Sequence, residues 1–379
     1  EPALWWQRMT RSLSHAAATT CIACRGGGDG MDESTLLSEL KSLYHSGVPA
    51  VARRGVSSAG SRDTSFELSV EGDVYLIRIL NETGEGTIRF VTVMPGVYLS
   101  FNEFNMARCF TGFAFDGNHI SVNHCRAGRI EQALPGGTYS YTARGDLRIS
   151  DFVGHAGTYV FPTEHYSGVT VDFDIDVCEG PIRRMLDGFP VSVRALRKKF
   201  CHAGLPFVLH DCDAAEHVFS ELYTVGQESL RVFAKVKMLD LLLLLDRVDG
   251  DDQGQQFEYF QRAQVEGVKR ACALMVADLT KTYGVGELAR LVGLSPTALK
   301  SCFKGVYGMP PYTYLRTYRM ERASEMLRQG DLPVSDIAAT VGYGSPSKFT
   351  AAFKALMGVT PSAYRRLAHE EADGVRRTP

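Results

Sequence analysis

Ten positions of the C-terminal third recur in order, nine with the same residue and one exchanging Leu for Ile. Val285, Leu288, Gly293, Ser295, Pro296, Phe303, Lys304, Gly308, Pro311 and Tyr314 return as Val334, Ile337, Gly342, Ser345, Pro346, Phe353, Lys354, Gly358, Pro361 and Tyr364. The valines are 49 positions apart and the phenylalanines 50, so the second copy carries one extra residue in its turn. A duplicated unit of two short helices around a glycine turn is the sequence form of a paired helix-turn-helix.

Each copy obeys helix chemistry. Ile337, Ala338 and Val341 fall on one stripe, as a short amphipathic helix requires. Gly342 then supplies the positive φ that ends it. Ser345 is placed as N-cap and Pro346 as first helical residue. Phe349 and Phe353, four apart, face inward, leaving Ser347, Lys348, Thr350, Ala351 and Lys354 outside. The first copy has Leu288 and Val292, then Leu299 and Phe303, inside; Thr297, Ala298, Lys300, Ser301 and Lys304 lie outside. Small, polar and basic outer faces suit helices lying in a major groove, where Lys and Ser/Thr reach base edges or phosphates and Ala admits thymine methyls. The plainer alternative is two solvated helix faces.

Gly342, Tyr343, Ser347, Phe349, Phe353, Lys354, Gly358, Thr360, Pro361, Tyr364 and Arg365 together resemble the signature of the AraC/XylS family of transcription regulators. The helix expected between the copies, Tyr314 to Leu327, is similar to the family's central helix. The resemblance implies a domain over residues 257–367 that grips successive major-groove segments of promoter duplex. Its base- or phosphate-facing candidates are Thr297, Ala298, Lys300, Ser301, Lys304, Ser347, Lys348, Thr350, Ala351, Lys354 and Arg365. It also implies RNA polymerase as a partner, activation rather than repression, a homodimer and a cytoplasmic location.

Charge partitions accordingly. Residues 268–367 hold fourteen Lys and Arg against six Asp and Glu, a net +8 in a chain whose total is −2. A basic reader joined to an acidic remainder fits nucleic-acid binding by one domain only. The 379 residues, 45% hydrophobic and 22% charged, suggest two or three globular domains and contain no run long enough for a membrane span. Nine cysteines are scattered; Cys21 and Cys24 form a C-x-x-C with no second pair to complete a zinc site, so reduced thiols are expected. Residues 1–30 show little pattern and are expected to be disordered or to precede the natural start at Met31.

Between Phe66 and Phe173 short alternating runs break at Gly, Asn and Asp, as in Val74 to Leu80, Thr87 to Val93, Gly96 to Phe101, Ile120 to His124, Thr138 to Tyr141 and Val169 to Ile175. That texture predicts a β-sandwich or small barrel over residues 31–178. His124 to Glu131 and Gly145 to Leu147 resemble the cupin-like jelly roll of pyochelin-type siderophore regulators, which implies a small-molecule effector, a ferric siderophore, in this domain. The alternative is a cupin-like metal-dependent enzyme fused to a DNA-binding domain. Enzymatic cupins set two histidines one residue apart; His119 and His124 are five apart and point to opposite strand faces, so neither a metal site nor a catalytic site nor a cofactor is read.

Residues 179–246 turn helical, with Pro181 at a plausible first position and Leu239, Leu242, Leu243 and Leu245 as candidates for a dimer contact or for packing. Residues 247–256 read as a polar linker and 368–379 as a polar tail. The expected fold class is therefore α+β: an N-terminal cupin-like β jelly roll, a helical dimerisation and linker region, and an all-α domain with two helix-turn-helix units.

Overall fold

The computed structural model describes residues 64–71, 74–111, 118–134, 136–151, 157–185, 188–201, 205–250 and 259–376. The expectations for residues 1–30, Met31, Cys21, Cys24 and most of the linker lie outside them. The chain forms two compact units, one up to Tyr259 and one from Phe260.

The first unit is β-rich. Its strands are β1 (Ser65–Glu71), β2 (Val74–Asn81), β3 (Gly84–Met94), β4 (Val97–Met106), β5 (Arg108–Thr111), β6 (His119–Leu134), β7 (Thr138–Ala143), β8 (Leu147–Ser150), β9 (Gly157–Val160), β10 (Tyr166–Asp174) and β11 (Phe207–Leu209). They hydrogen-bond in the order β1-β2-β3-β4-β10-β6-β7, with β8 joining β6 to β11 and β9 joining β6 to β5. β10 runs antiparallel between β4 and β6, and both of its faces are buried.

One face carries Leu99, Phe101, Val122, Ile149, Val169, Val171 and Phe173 and packs on the helices that follow: α1 (Ile175–Met185), α2 (Val193–Phe200), α3 (Asp213–Ser220) and α4 (Gln227–Arg247). The other face gathers Ile77, Ile79, Phe90, Phe104 and Tyr166 with Cys109 of β5 and Phe161.

Two expectations change here, at α1 and β6, and two further observations bear on the leucines and histidines. α1 begins at Ile175 rather than at Pro181, which sits inside the helix. β6 is one 16-residue strand that runs well past the expected Ile120 to His124 run; Gly128 takes φ +75° within it, and a Cβ there would stand 1.9 Å from the His165 carbonyl oxygen. Leu242 and Leu245 are fully buried in the helix-packed core, with Leu239 and Leu243 partly buried against it. The face of α4 left to solvent carries Val232, Phe233 and Val236 instead. His119 and His124 are both buried. His124 stacks on Phe219 with its Nε2 3.5 Å from Glu216.

The segments that resembled a siderophore-regulator signature do structural work. Gly145 takes φ +85° and donates its N–H to Cys125, while the Asp146 carboxylate accepts from the Ala143 N–H at 2.7 Å and meets His210 Nδ1 at 2.9 Å. Glu131 accepts a 2.7 Å hydrogen bond from the Tyr141 hydroxyl.

The second unit is helical: α5 (Arg262–Ala277), α6 (Val285–Val292), α7 (Pro296–Tyr307), α8 (Pro311–Gln329), α9 (Val334–Thr340), α10 (Pro346–Met357) and α11 (Pro361–Arg376). α11 extends well into the expected polar tail. Among the described residues no helix is long and apolar enough to cross a membrane.

Candidate nucleic-acid interface

The two helix pairs are built by the same local chemistry. After α6, Gly293 takes φ +75° and the Leu294 N–H bonds back to Ala289; after α9, Gly342 takes φ +82° and the Tyr343 N–H bonds back to Ala338. Each turn thereby satisfies carbonyls that a helix end leaves open. The hydroxyl of Ser295 accepts the Ala298 N–H at 3.1 Å, and that of Ser345 accepts the Lys348 N–H at 3.5 Å, each one residue ahead of a first-turn proline. Alignment of the caps places the extra residue of the second turn at Gly344.

Leu299 and Phe303 of α7 and Phe349 and Phe353 of α10 are fully buried. Phe353 meets Phe349 with ring centres 5.7 Å apart and Tyr364 at 5.5 Å, edge to face. With the inner face so anchored, the opposite face is fixed. Thr297, Lys300, Ser301 and Lys304 are exposed on α7, with Ala298 half-buried beside them. Ser347, Lys348, Ala351 and Lys354 are exposed on α10, with Thr350 half-buried. Neither face carries an acidic residue, so each offers two ammonium groups among hydroxyls and methyls.

Arg365 is the exception among the candidates. It is half-buried, and its guanidinium donates to the Leu332 carbonyl in the loop before α9. It clamps that loop onto α11 and does not present a free cation. Its neighbour Arg366 is exposed and 3.8 Å from Glu370.

Arg319 is the residue the sequence reading did not single out. Leu315, Arg319, Ala323 and Leu327 form the buried stripe of α8, and Arg319 is 8% exposed. Its Nη2 donates to the carbonyls of Leu279 and Lys281 and to the Thr282 hydroxyl, at 2.6, 3.0 and 3.2 Å. A charge standing at an apolar-stripe position was the available signal. Among the described residues of the chain, no group of three or more His, Cys, Asp or Glu is placed to hold a metal ion.

Two capped helix pairs, joined by one long helix and each presenting a basic face, define a tandem helix-turn-helix domain. Residues 288–367 match the family described as a helix-turn-helix domain. Over 99 residues the chain is 36% identical to a putative AraC-like transcription regulator of Streptomyces antibioticus, a stretch covering 26% of this chain and 33% of that protein. Over 88 residues it is 33% identical to the HTH-type transcriptional activator AarP of Providencia stuartii, covering 23% and 65% respectively. Among solved structures, the C-terminal domain of AraT, a response regulator from Geobacillus stearothermophilus, is 33% identical, with 27% of this chain and 84% of that one covered and a TM-score of 0.26. The C-terminal domain is thus a helix-turn-helix domain of the type found in AraC-like regulators. The match spans about a third of the Streptomyces relative's length.

Proposed function

We propose that this protein is a sequence-specific transcription regulator, an activator, that reads promoter DNA through α7 and α10. The observation that carries the reading is the pair of serine-capped, proline-started helices whose buried phenylalanines turn two equivalent basic faces to solvent. Thr297, Ala298, Lys300, Ser301, Lys304, Ser347, Lys348, Thr350, Ala351 and Lys354 form the contact surface. Phosphate neutralisation by lysines such as Lys304 and Lys354 makes affinity fall with salt, while Lys348 and the shorter side chains read base edges.

The β-rich unit, a cupin-like jelly roll, holds a small-molecule effector that shifts the population of DNA-competent states. A ferric siderophore as that effector is supported only by the likeness of residues 124–131 and 145–147 to one regulator branch. The protein acts as a homodimer, recruits RNA polymerase and has no catalytic role; the exposed Val232, Phe233 and Val236 of α4 supply an apolar stripe suited to self-association. Gel-shift titration of the full chain on its own upstream region tests the reading. Sequence-selective retention supports it, and equal retention of unrelated duplex at every salt concentration counts against it.

A further inference from the structure

Arg148 is a buried cation with no carboxylate paired to it among the described residues. It lies on β8, is 6% exposed, and its Nε has no hydrogen-bond partner. The titratable groups that act on it are the phenols of Tyr159, Tyr166 and Tyr259, not a carboxylate. Burial pushes Arg148 down to about 10, so it remains a guanidinium at neutral pH. Burial likewise pushes Tyr159 up to about 12 and raises Tyr166, so the phenols around it stay neutral. An uncompensated buried cation is strongly destabilising unless an anion accompanies it.

The surroundings of Arg148 are polar and ordered. In register, Arg148 faces Asn123 of β6, which faces Thr170 of β10. Asn123 and Asn102 both donate to the Thr170 hydroxyl, at 2.9 and 3.1 Å, and the Tyr166 hydroxyl donates to Asn123. Two residues along the same face of β10 stands Asp172, 8% exposed, whose Oδ1 is also without a partner. The register sets Arg148 and Asp172 on one face of the sheet, and the Tyr159 phenol lies within electrostatic reach of both. Asp146, two residues before Arg148, is committed to Ala143 and His210.

We infer that this face of the β-rich unit binds a small organic anion: its carboxylate or phosphate pairs with Arg148, and a hydroxyl or amine of the same molecule donates to Asp172. The inference rests on the reading of this unit as an effector domain and names the chemical class of the effector. Arginine suits the task because its fork of N–H groups meets two anionic oxygens at once. An accompanying donor suits the site because Asp172, on the same face, keeps Oδ1 without a partner among the described residues.

The test is thermal melting and calorimetric titration of the full-length protein with acetate, lactate, glycerol 3-phosphate, inorganic phosphate and chloride at matched ionic strength. Lactate or glycerol 3-phosphate should raise the melting temperature saturably and bind at least about tenfold tighter than acetate or inorganic phosphate, which lack the donor carbon framework. Arg148→Met should abolish that response and raise the melting temperature of the protein without added anion, because it removes the unpaired charge. Arg148→Lys, the control should the methionine variant fail to fold, should weaken binding about tenfold, since an ammonium cannot form the two-point contact. Asp172→Asn should erase the advantage of lactate over acetate. Equal responses across the series, a shift produced by chloride or phosphate alone (an adventitious ion only), or undiminished binding by Arg148→Met would overturn the inference. Anion binding that leaves operator affinity unchanged would count against the effector reading and leave the site standing. Operator binding that responds to another small molecule would do the reverse.

Discussion

Nη2 of Arg319, in the middle of α8, lies 2.6 Å from the carbonyl oxygen of Leu279 in the loop after α5. The same oxygen is 2.0 Å from where a Cβ on Gly342 would stand. One backbone carbonyl thus ties together the loop leading into the first helix pair, the long helix, and the turn of the second. The relative placement of α7 and α10 depends on this junction.

Arg319→Ala should therefore lower stability by about 2–3 kcal/mol, because hydrogen bonds from a charged donor are strong and the abandoned carbonyls stay buried. Urea denaturation of the full chain measures this. The variant should lose operator affinity beyond what the loss of folded protein explains, since the spacing of the two faces is no longer held.

Gly342→Ala combines a clash with a backbone at φ +82°, and should cost at least about 1–3 kcal/mol. Gly344→Ala, where a Cβ meets nothing within 4 Å and φ is not in the left-handed range, should be nearly silent in the same melts.

Phe353→Ala removes a fully buried ring from the small core of the second pair and should cost about 3–5 kcal/mol. Calorimetry should show the helical unit melting earlier; an unchanged transition would contradict the packing described.

Lys348→Ala should alter which bases are preferred, while Lys304→Ala and Lys354→Ala should weaken all duplexes alike and each reduce the salt slope by about one. Arg365→Ala should act on folding and not on the salt slope, because its guanidinium already serves the Leu332 carbonyl. Binding titrations across salt concentrations separate these cases.

Asp172 gives the β-rich unit a pH dependence. Burial raises its carboxyl from the ordinary 3.8 to about 7, opposed by a hydrogen bond from Ser121. Between these values the folded state holds a proton that the unfolded chain releases, so stability is fullest below 3.8 and is lost as pH rises through about 7. The whole span corresponds to on the order of 4 kcal/mol. Asp172→Asn should flatten urea midpoints measured between pH 4.5 and 7.5; an unchanged slope would place the titration elsewhere.

What the sequence made legible was local. Ser295 and Ser345 as caps, Gly293 and Gly342 as left-handed turns, and four inward aromatic or leucine side chains all follow from spacing within one turn of helix. What it hid was long-range. Arg365 resembled a free surface cation until the carbonyl of Leu332, 33 residues earlier, proved to be its partner. Arg319 and Leu279 are 40 apart. In the β-rich unit, Gly128 looked like a break but serves as a kink within one strand. Of the two readings of the α4 leucines, dimer contact or packing, the core takes them because β3 and the neighbouring helices lie against them.

Hydroxyl-radical footprinting of the full-length protein on its own upstream region tests the tandem-reader account most directly. Two protected patches on one face of the duplex, centred roughly 10 base pairs apart, are the predicted result. A single patch, or no protection at low salt, would contradict it.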